Sequence, residues 1–285
     1  MRVFVWIALF LCILARASWS QDTYNQTNWG QGPQQYSWAA GTVNKFGFNG
    51  DVDTTEESIW DMDDLPTAGA GPIRCFDNML SAAALYISSD SDSDVGKTVS
   101  VQGLDLNWES FDIDVVLGSD AGTGTTNVQI GTVNIWRINR AFTVSAELVG
   151  NIYIHKDATD ATGNGIPDTP ATDIVAGITL GANQTLQSCY TVPLGYNAYI
   201  TNICLANINQ VGVGSSVTFR ARRSAGGAAH VHRSQLRFSL GNETSICMPY
   251  DPPLVYPEKT DFEITGSDAS SQATAATFDL FLMKN

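Results

Sequence analysis

The run TVSVQGLDLNWESFDIDVVLG, from Thr98 to Gly118, restricts the possible folds of this chain more than any other stretch. Val99, Val101 and Leu104 precede Trp108, Phe111, Ile113 and Val115, with polar residues set between them. Alternation of that kind marks half-buried strands, and the Gly103-Leu104-Asp105 break predicts a tight bend between two of them. No residue in the run suggests catalysis. Most of the downstream sequence repeats the pattern, so the expected fold class is all-β, with function residing in surfaces and assembly.

Composition agrees. Apolar residues make up 44% of the 285 residues and charged residues 15%, which provides for real cores and excludes a disordered chain. Thr, Ser, Asn, Val and Gly are plentiful, and β-branched side chains suit a pleated surface.

Met1-Arg2, the apolar run Val3–Leu14 and the small residues of ARASWS read as an export signal, too short to span a bilayer. Cleavage is expected after Ser20, giving a secreted, extracellular product without a membrane anchor. Loss of Arg2 and Arg16 leaves 13 basic residues against 29 acidic ones, a poor match for nucleic acid or an anionic membrane. Four cysteines remain, Cys75, Cys189, Cys204 and Cys247, and an even count behind an export signal predicts two disulfides. A hairpin turning near Leu194-Gly195 would set Cys189 opposite about Ile200. Cys204 would then lie roughly 13 Å away along the strand, beyond disulfide reach. Each therefore bonds Cys75 or Cys247, in a pairing the sequence leaves open. Sequons at Asn25, Asn183 and Asn242 make N-linked glycans the expected modification.

Residues 21–72 read as an extended arm and linker, rich in Gln, Asn, Gly and aromatics, among them Trp29, Tyr36 and Trp38. Such a segment is expected to lie along its own domain or a neighbouring subunit. Acids crowd its end, including Asp51, Asp53, Glu56 and Glu57. Two β-sandwich or jelly-roll-like domains are expected to follow, at residues 73–150 and 151–285, built from short strands with turns between them. The Ser89–Asp94 run, SDSDSD, reads as a solvated turn.

Candidate chemistry is sparse. His155-x-Asp157-x-x-Asp160-x-x-x-Asn164-Gly165-x-x-Asp168, followed by Asp173, is the best metal candidate. The oxygens of Asp157, Asp160, Asn164 and Asp168 suit a structural Ca²⁺, although the spacing is not that of an EF-hand. His230-x-His232 shares a strand face but has no third ligand. No G-x-S-x-G, H-E-x-x-H or P-loop pattern occurs, so no catalytic residue is assigned and an enzyme is not expected. Arg220, Arg222, Arg223, Arg233 and Arg237 lie within 18 residues. Val217, Phe219, Leu236 and Phe238 alternate inward, which predicts an outward ladder of Arg220, Arg222 and Arg237 suited to carboxylates.

Several phrases occur in a suggestive order: VNKFGFNGDVDT with a following IWD, VSVQGLDLNWES, RINRAF, QTLQSCYTVPLGYNAYIT, PPLVYPEKTDFEI and FDLFLM. Together, over roughly Val43 to Asn285, they resemble tailed-bacteriophage virion proteins, small β-rich components of the particle. The resemblance implies non-enzymatic β-domains made for contact with copies of themselves or with other particle proteins. It supplies no active-site residues. The export signal, sequons and paired cysteines depart from a protein made in bacterial cytoplasm. They suit a virion-type module redeployed for secretion, or a virus of a eukaryotic host.

The expectation is a secreted, glycosylated structural protein that forms a filament or coat. Its arm would dock on a neighbouring copy, with Asp51 and Asp53 facing the Arg220–Arg237 ladder. The alternative is a carbohydrate- or cell-surface-binding β-sandwich, with Trp108, Tyr196 or Tyr250 stacking on sugars.

Overall fold

The computed structural model describes residues 41–62, 74–207, 216–223, 233–240, 245–268 and 272–285. It is all-β. The export signal, Trp29, Tyr36, Trp38, Asn25, Asn242, His230 and His232 lie outside the described residues.

The strands are β1 (Gly41–Val52), β2 (Glu57–Ser58), β3 (Tyr86–Ser89), β4 (Thr98–Asp105), β5 (Ser110–Val116), β6 (Val128–Gln129), β7 (Ile135–Thr143) and β8 (Ile152–His155). A single helical turn, α1 (Pro170–Asp173), leads into β9 (Ile174–Ile178). Then come β10 (Cys189–Thr191), β11 (Tyr196–Asn207), β12 (Ser216–Arg223), β13 (Arg233–Ser239), β14 (Ser245–Tyr256), β15 (Thr260–Ser267) and β16 (Gln272–Lys284).

Two sheets, β6-β3-β8-β9 and β5-β4-β7, enclose a first core that includes Leu85, Val99, Val101, Ile152 and Ile178. Two more, β1-β16-β11-β14 and β10-β15-β12-β13, enclose a second, with β2 also paired to β15. At its centre Phe219, Phe262 and Phe278 meet, the last two edge to face with centroids 6.2 Å apart. Quadrupole-matched aromatic contacts of this kind add to the gain from burial.

These cores correct the expected boundaries. Strands β8 and β9 belong to the first core, which therefore runs past Gly150 to about Ile178. Strands β1 and β2 belong to the second, so the first core is inserted into the second between residues 62 and 185. Gly41–Val52 is thus not arm but a sheet strand, antiparallel to β16 over most of its length. Its inward residues are Val43, Lys45, Gly47 and Asn49, and three of these are not hydrophobic, so the usual alternation is inverted. Gly47 is required there, because a Cβ would run into Ile59 O and Ser188 N.

Strand β14 also escapes a sequence reading, because Pro249, Pro252 and Pro253 argue against a strand. It lies at the sheet edge, where prolines are tolerated. Two expected bends move as well. Gly103-Leu104-Asp105 lies within β4, at register shifts against β7, and the chain reverses over Leu106–Glu109. There Asp105 Oδ1 accepts from Asn107 N and Glu109 N at 2.8 and 2.9 Å, and Trp108 takes a left-handed φ of 66°. Leu194-Gly195 joins no hairpin, since β10 and β11 lie in opposite sheets.

Candidate functional site

The arginines organise the space between the cores. Val217, Phe219 and Ala221 of β12 face the second core, which turns Arg220 and Arg222 to the other side of the sheet, as the alternation requires. That side is covered by the inserted core, so the expected outward ladder is an interior seam. The Arg222 side chain is only 9% exposed, and its Nε donates to Asp261 Oδ2 at 2.9 Å. Arg137, from β7 of the inserted core, donates to both oxygens of the same carboxylate at 3.0 and 2.9 Å. Thr191 Oγ1 completes the set at 2.6 Å. Burial alone would raise the Asp261 carboxyl, but the two guanidinium groups and Thr191 hold it below the ordinary carboxylate value. Phe76 lies 5.2 Å from the Arg137 guanidinium and 5.4 Å from that of Arg222.

Arg220 pairs with Glu56 of the same chain, so the charge match expected between copies is made within one. Asp51 is exposed, Asp53 Oδ1 accepts from Thr55 N, and neither forms an ion pair with an arginine among the described residues. Arg237 is exposed and bonds Ser216 Oγ at 2.9 Å. Lys45, buried in β1, donates to Asn139 O at 2.5 Å; burial, aided by the charge of Arg140, pushes it down to about 7.

The calcium candidates make hydrogen bonds within the loop. Asp160 accepts from the main-chain nitrogens of Thr162, Gly163 and Gly165, and Asp157 from those of Thr159 and Asp168. Asn164 Oδ1 takes Ile166 N, and the Asp168 carboxylate takes Ala161 N. These are turn-making bonds, and no cluster of three acidic, His or Cys ligands able to hold a metal occurs among the described residues. Gly165, at φ 72°, packs where a Cβ would strike Ser89 O.

The SDSDSD run is not simply a solvated turn. Asp94 is buried and accepts from Ser89 Oγ, Lys97 Nζ, Val149 N and Gly150 N. Asp90 holds Asn151 N and the Tyr153 hydroxyl at 2.7 and 3.0 Å.

His155 sits 3.0 Å from Ser88 Oγ, a spacing that could suggest a nucleophile and its base. Both are fully buried, and the Ser88 hydroxyl donates to Gly165 O at 2.7 Å, so Nε2–H must donate to Ser88. This is a core histidine. Burial pushes it down to about 4, against the pull of Asp157 and Asp173. The unfolded chain therefore takes up a proton near pH 6.5 that the fold accepts only near pH 4. Stability from this group is complete above pH 6.5 and is lost as pH falls to about 4, by about 3 kcal/mol. Asp61, pushed up to about 7 by burial, acts in the opposite sense. Urea unfolding of wild type and His155→Gln at pH 7.5 and 4.5 isolates the term: the variant should lose markedly less stability on acidification. Equal losses would dismiss the assignment.

Asn183 is half-buried, its Oδ1 accepts from Leu148 N at 3.1 Å, and Thr185 of its sequon is buried. The disulfides are Cys75–Cys189 and Cys204–Cys247, within the alternatives the spacing left open. Trp108 is buried, stacked on Trp136 at 4.8 Å, with Lys259 and Arg137 over its ring. It offers no platform for a sugar; Tyr196 and Tyr250 are half-buried.

What remains open is the outer face of the β1-β16-β11-β14 sheet. Cross-strand register sets Phe281 between Thr42 and Tyr199, with Val255 beyond Tyr199. The rings of Tyr199 and Phe281 are parallel, 4.9 Å apart. Phe46, Val255 and Met283 are 39%, 56% and 45% exposed. Asp279 is held by Asn44 and Asn202 in the middle of the face. Sequence reasoning missed this surface, though the outward parity of Phe46 and Phe48 was there to be read once β1 was recognised as a strand.

No family model matches the chain, and no curated protein matches it. Among solved structures it is similar to a chain in the structure of infectious bursal disease virus, Gx strain. The identity is 13%, over 85% of this chain and 71% of that chain, with a TM-score of 0.23, a likeness that carries no argument about this chain.

Proposed function

We propose that this protein is a non-enzymatic structural subunit, exported and disulfide-bonded, that assembles with copies of itself into a filament or coat. The observation that carries the reading is the open apolar face of the β1-β16-β11-β14 sheet, where Phe46, Val255 and Met283 meet solvent in a chain of net charge −14. Exposed apolar residues gathered on one face mark contact sites, and a face whose central acid, Asp279, is held by two asparagines is where acidic copies can approach with little repulsion. The two disulfides suit an oxidising compartment, and no described helix is long and apolar enough to cross a membrane. The resemblance to virion components fits the same role. The sugar-binding alternative loses Trp108, its largest proposed platform.

The test is light scattering and electron microscopy of the full chain recovered from the medium of a eukaryotic secretory host. Large assemblies that grow with concentration are expected. A monodisperse monomer across the micromolar range would refute the reading.

A further inference from the structure

Resting on that reading, we infer that the occupant of this open face is residues 21–40 of a second copy of the chain. The face and the segment match in chemistry. Phe46, Phe48, Tyr199, Phe281, Val255 and Met283 supply aromatic and aliphatic contacts on one side. The segment supplies Tyr24, Trp29, Tyr36 and Trp38 on the other, and aromatic pairs of this kind dominate contact energetics. They match in charge as well. The chain carries 29 acids, yet the segment holds one charge, Asp22, and the face holds two acids, Asp279, engaged by two asparagines, and the exposed Asp251 on its β14 edge. Arg220 and Arg222 do not serve as the acceptor, because they are committed to Glu56 and Asp261 of their own chain.

The exit point favours a neighbour over the chain's own face. The segment ends at Gly41, which opens edge strand β1 opposite Leu282. Twenty extended residues reach up to about 65 Å, while four strands span only about 15 Å. Traced backwards, β1 leaves the sheet at Gly41 heading away from Phe46 and Phe48. A continuation in that direction meets another copy, whereas covering Phe46 and Phe48 of its own face needs a reversal. Addition of a strand to the far edge is disfavoured, since Pro249, Pro252 and Pro253 remove donors from β14. Contact between a segment of one copy and a face of the next is heterologous and propagates unless the rotation closes.

The experiment uses two full-length variants. One carries Trp29→Ser, Tyr36→Ser and Trp38→Ser, with the face intact. The other carries Phe46→Lys and Val255→Lys, both at exposed positions, with the segment intact. Each alone should self-associate about tenfold or more weakly than wild type, with an unchanged circular-dichroism spectrum. Mixed, they should form 1:1 dimers that grow no further, because each supplies the half the other lacks. Wild-type assembly by both variants overturns the inference while leaving self-assembly intact. A mixture that stays monomeric means that the segment covers its own face or none, which also overturns it. A wild-type chain that is itself monomeric refutes the parent reading instead.

Discussion

Replacing Asp261 with Asn is expected to cost about 3–5 kcal/mol of folding stability, one of the two largest effects of any change outside the hydrophobic centres. The carboxylate is fully buried and is shared by Arg137 from the inserted core and Arg222 from β12. Asn keeps the shape but removes the charge, leaving two guanidinium groups facing one another in a dry seam. The cost comes from the uncompensated cations, not from the value of the pair itself, and this gives a second, sharper expectation. The triple variant Asp261→Leu, Arg137→Met, Arg222→Met should be less destabilised than Asp261→Asn alone, because no buried charge is left without a partner. Urea unfolding of the two variants beside wild type measures both effects. If Asp261→Asn lies within 1 kcal/mol of wild type, or below the triple variant in its loss, the seam is wet and the account is wrong.

The same seam explains which parts of the fold were legible in the sequence. Alternation located β4 and β5 and the inward side of β12, because each has one clear apolar side. Its error was to equate the polar side with water. In β15 the polar positions Asp261, Glu263 and Thr265 are all buried, as are the apolar ones between them. A polar stripe paired to a second polar stripe looks, from sequence alone, like a surface. Arg220 and Arg222 were correctly turned away from Phe219, yet what they meet is Glu56 and Asp261. Only three-dimensional pairing shows that.

The insertion was hidden for a related reason. All four residues of β8 are buried, so the strand carries no mark of which core it serves. Strand β1 puts Lys45, Gly47 and Asn49 inward, since the lysine reaches Asn139 O and the glycine admits the main chain of Ile59 and Ser188. A rule that seeks apolar residues inside passes over it. The acidic loop from Asp157 to Asp168 reads two ways. Asp, Asn and Gly in tight spacing suit a cation, but they equally suit turns, and there the main-chain N–H groups claim the oxygens.

The Cys75–Cys189 disulfide follows from the same topology, and its loss is expected to rival that of Asp261. Cys75 stands where the chain enters the inserted core and Cys189 just after it leaves, 114 residues later, so the bond closes the neck of the insertion. Chain-entropy accounting gives about 5 kcal/mol for a loop of that length and about 4 for the 43-residue separation of Cys204 and Cys247. Burial widens the gap. Cys75 and Cys189 pack with Trp60, Phe76 and Tyr153, whereas Cys247 is exposed and its bond joins strands already paired in one ladder. Double Cys→Ala variants at each pair should therefore separate clearly, with the 75/189 variant at least 1 kcal/mol less stable than the 204/247 variant and the more poorly secreted of the two. Non-reducing peptide mapping fixes the pairing first, and urea unfolding ranks the variants. If loss of the 204–247 bond is the costlier, the neck is not under tension in the unfolded ensemble, and the inserted core docks through the Arg137–Asp261 contact without needing a covalent tie.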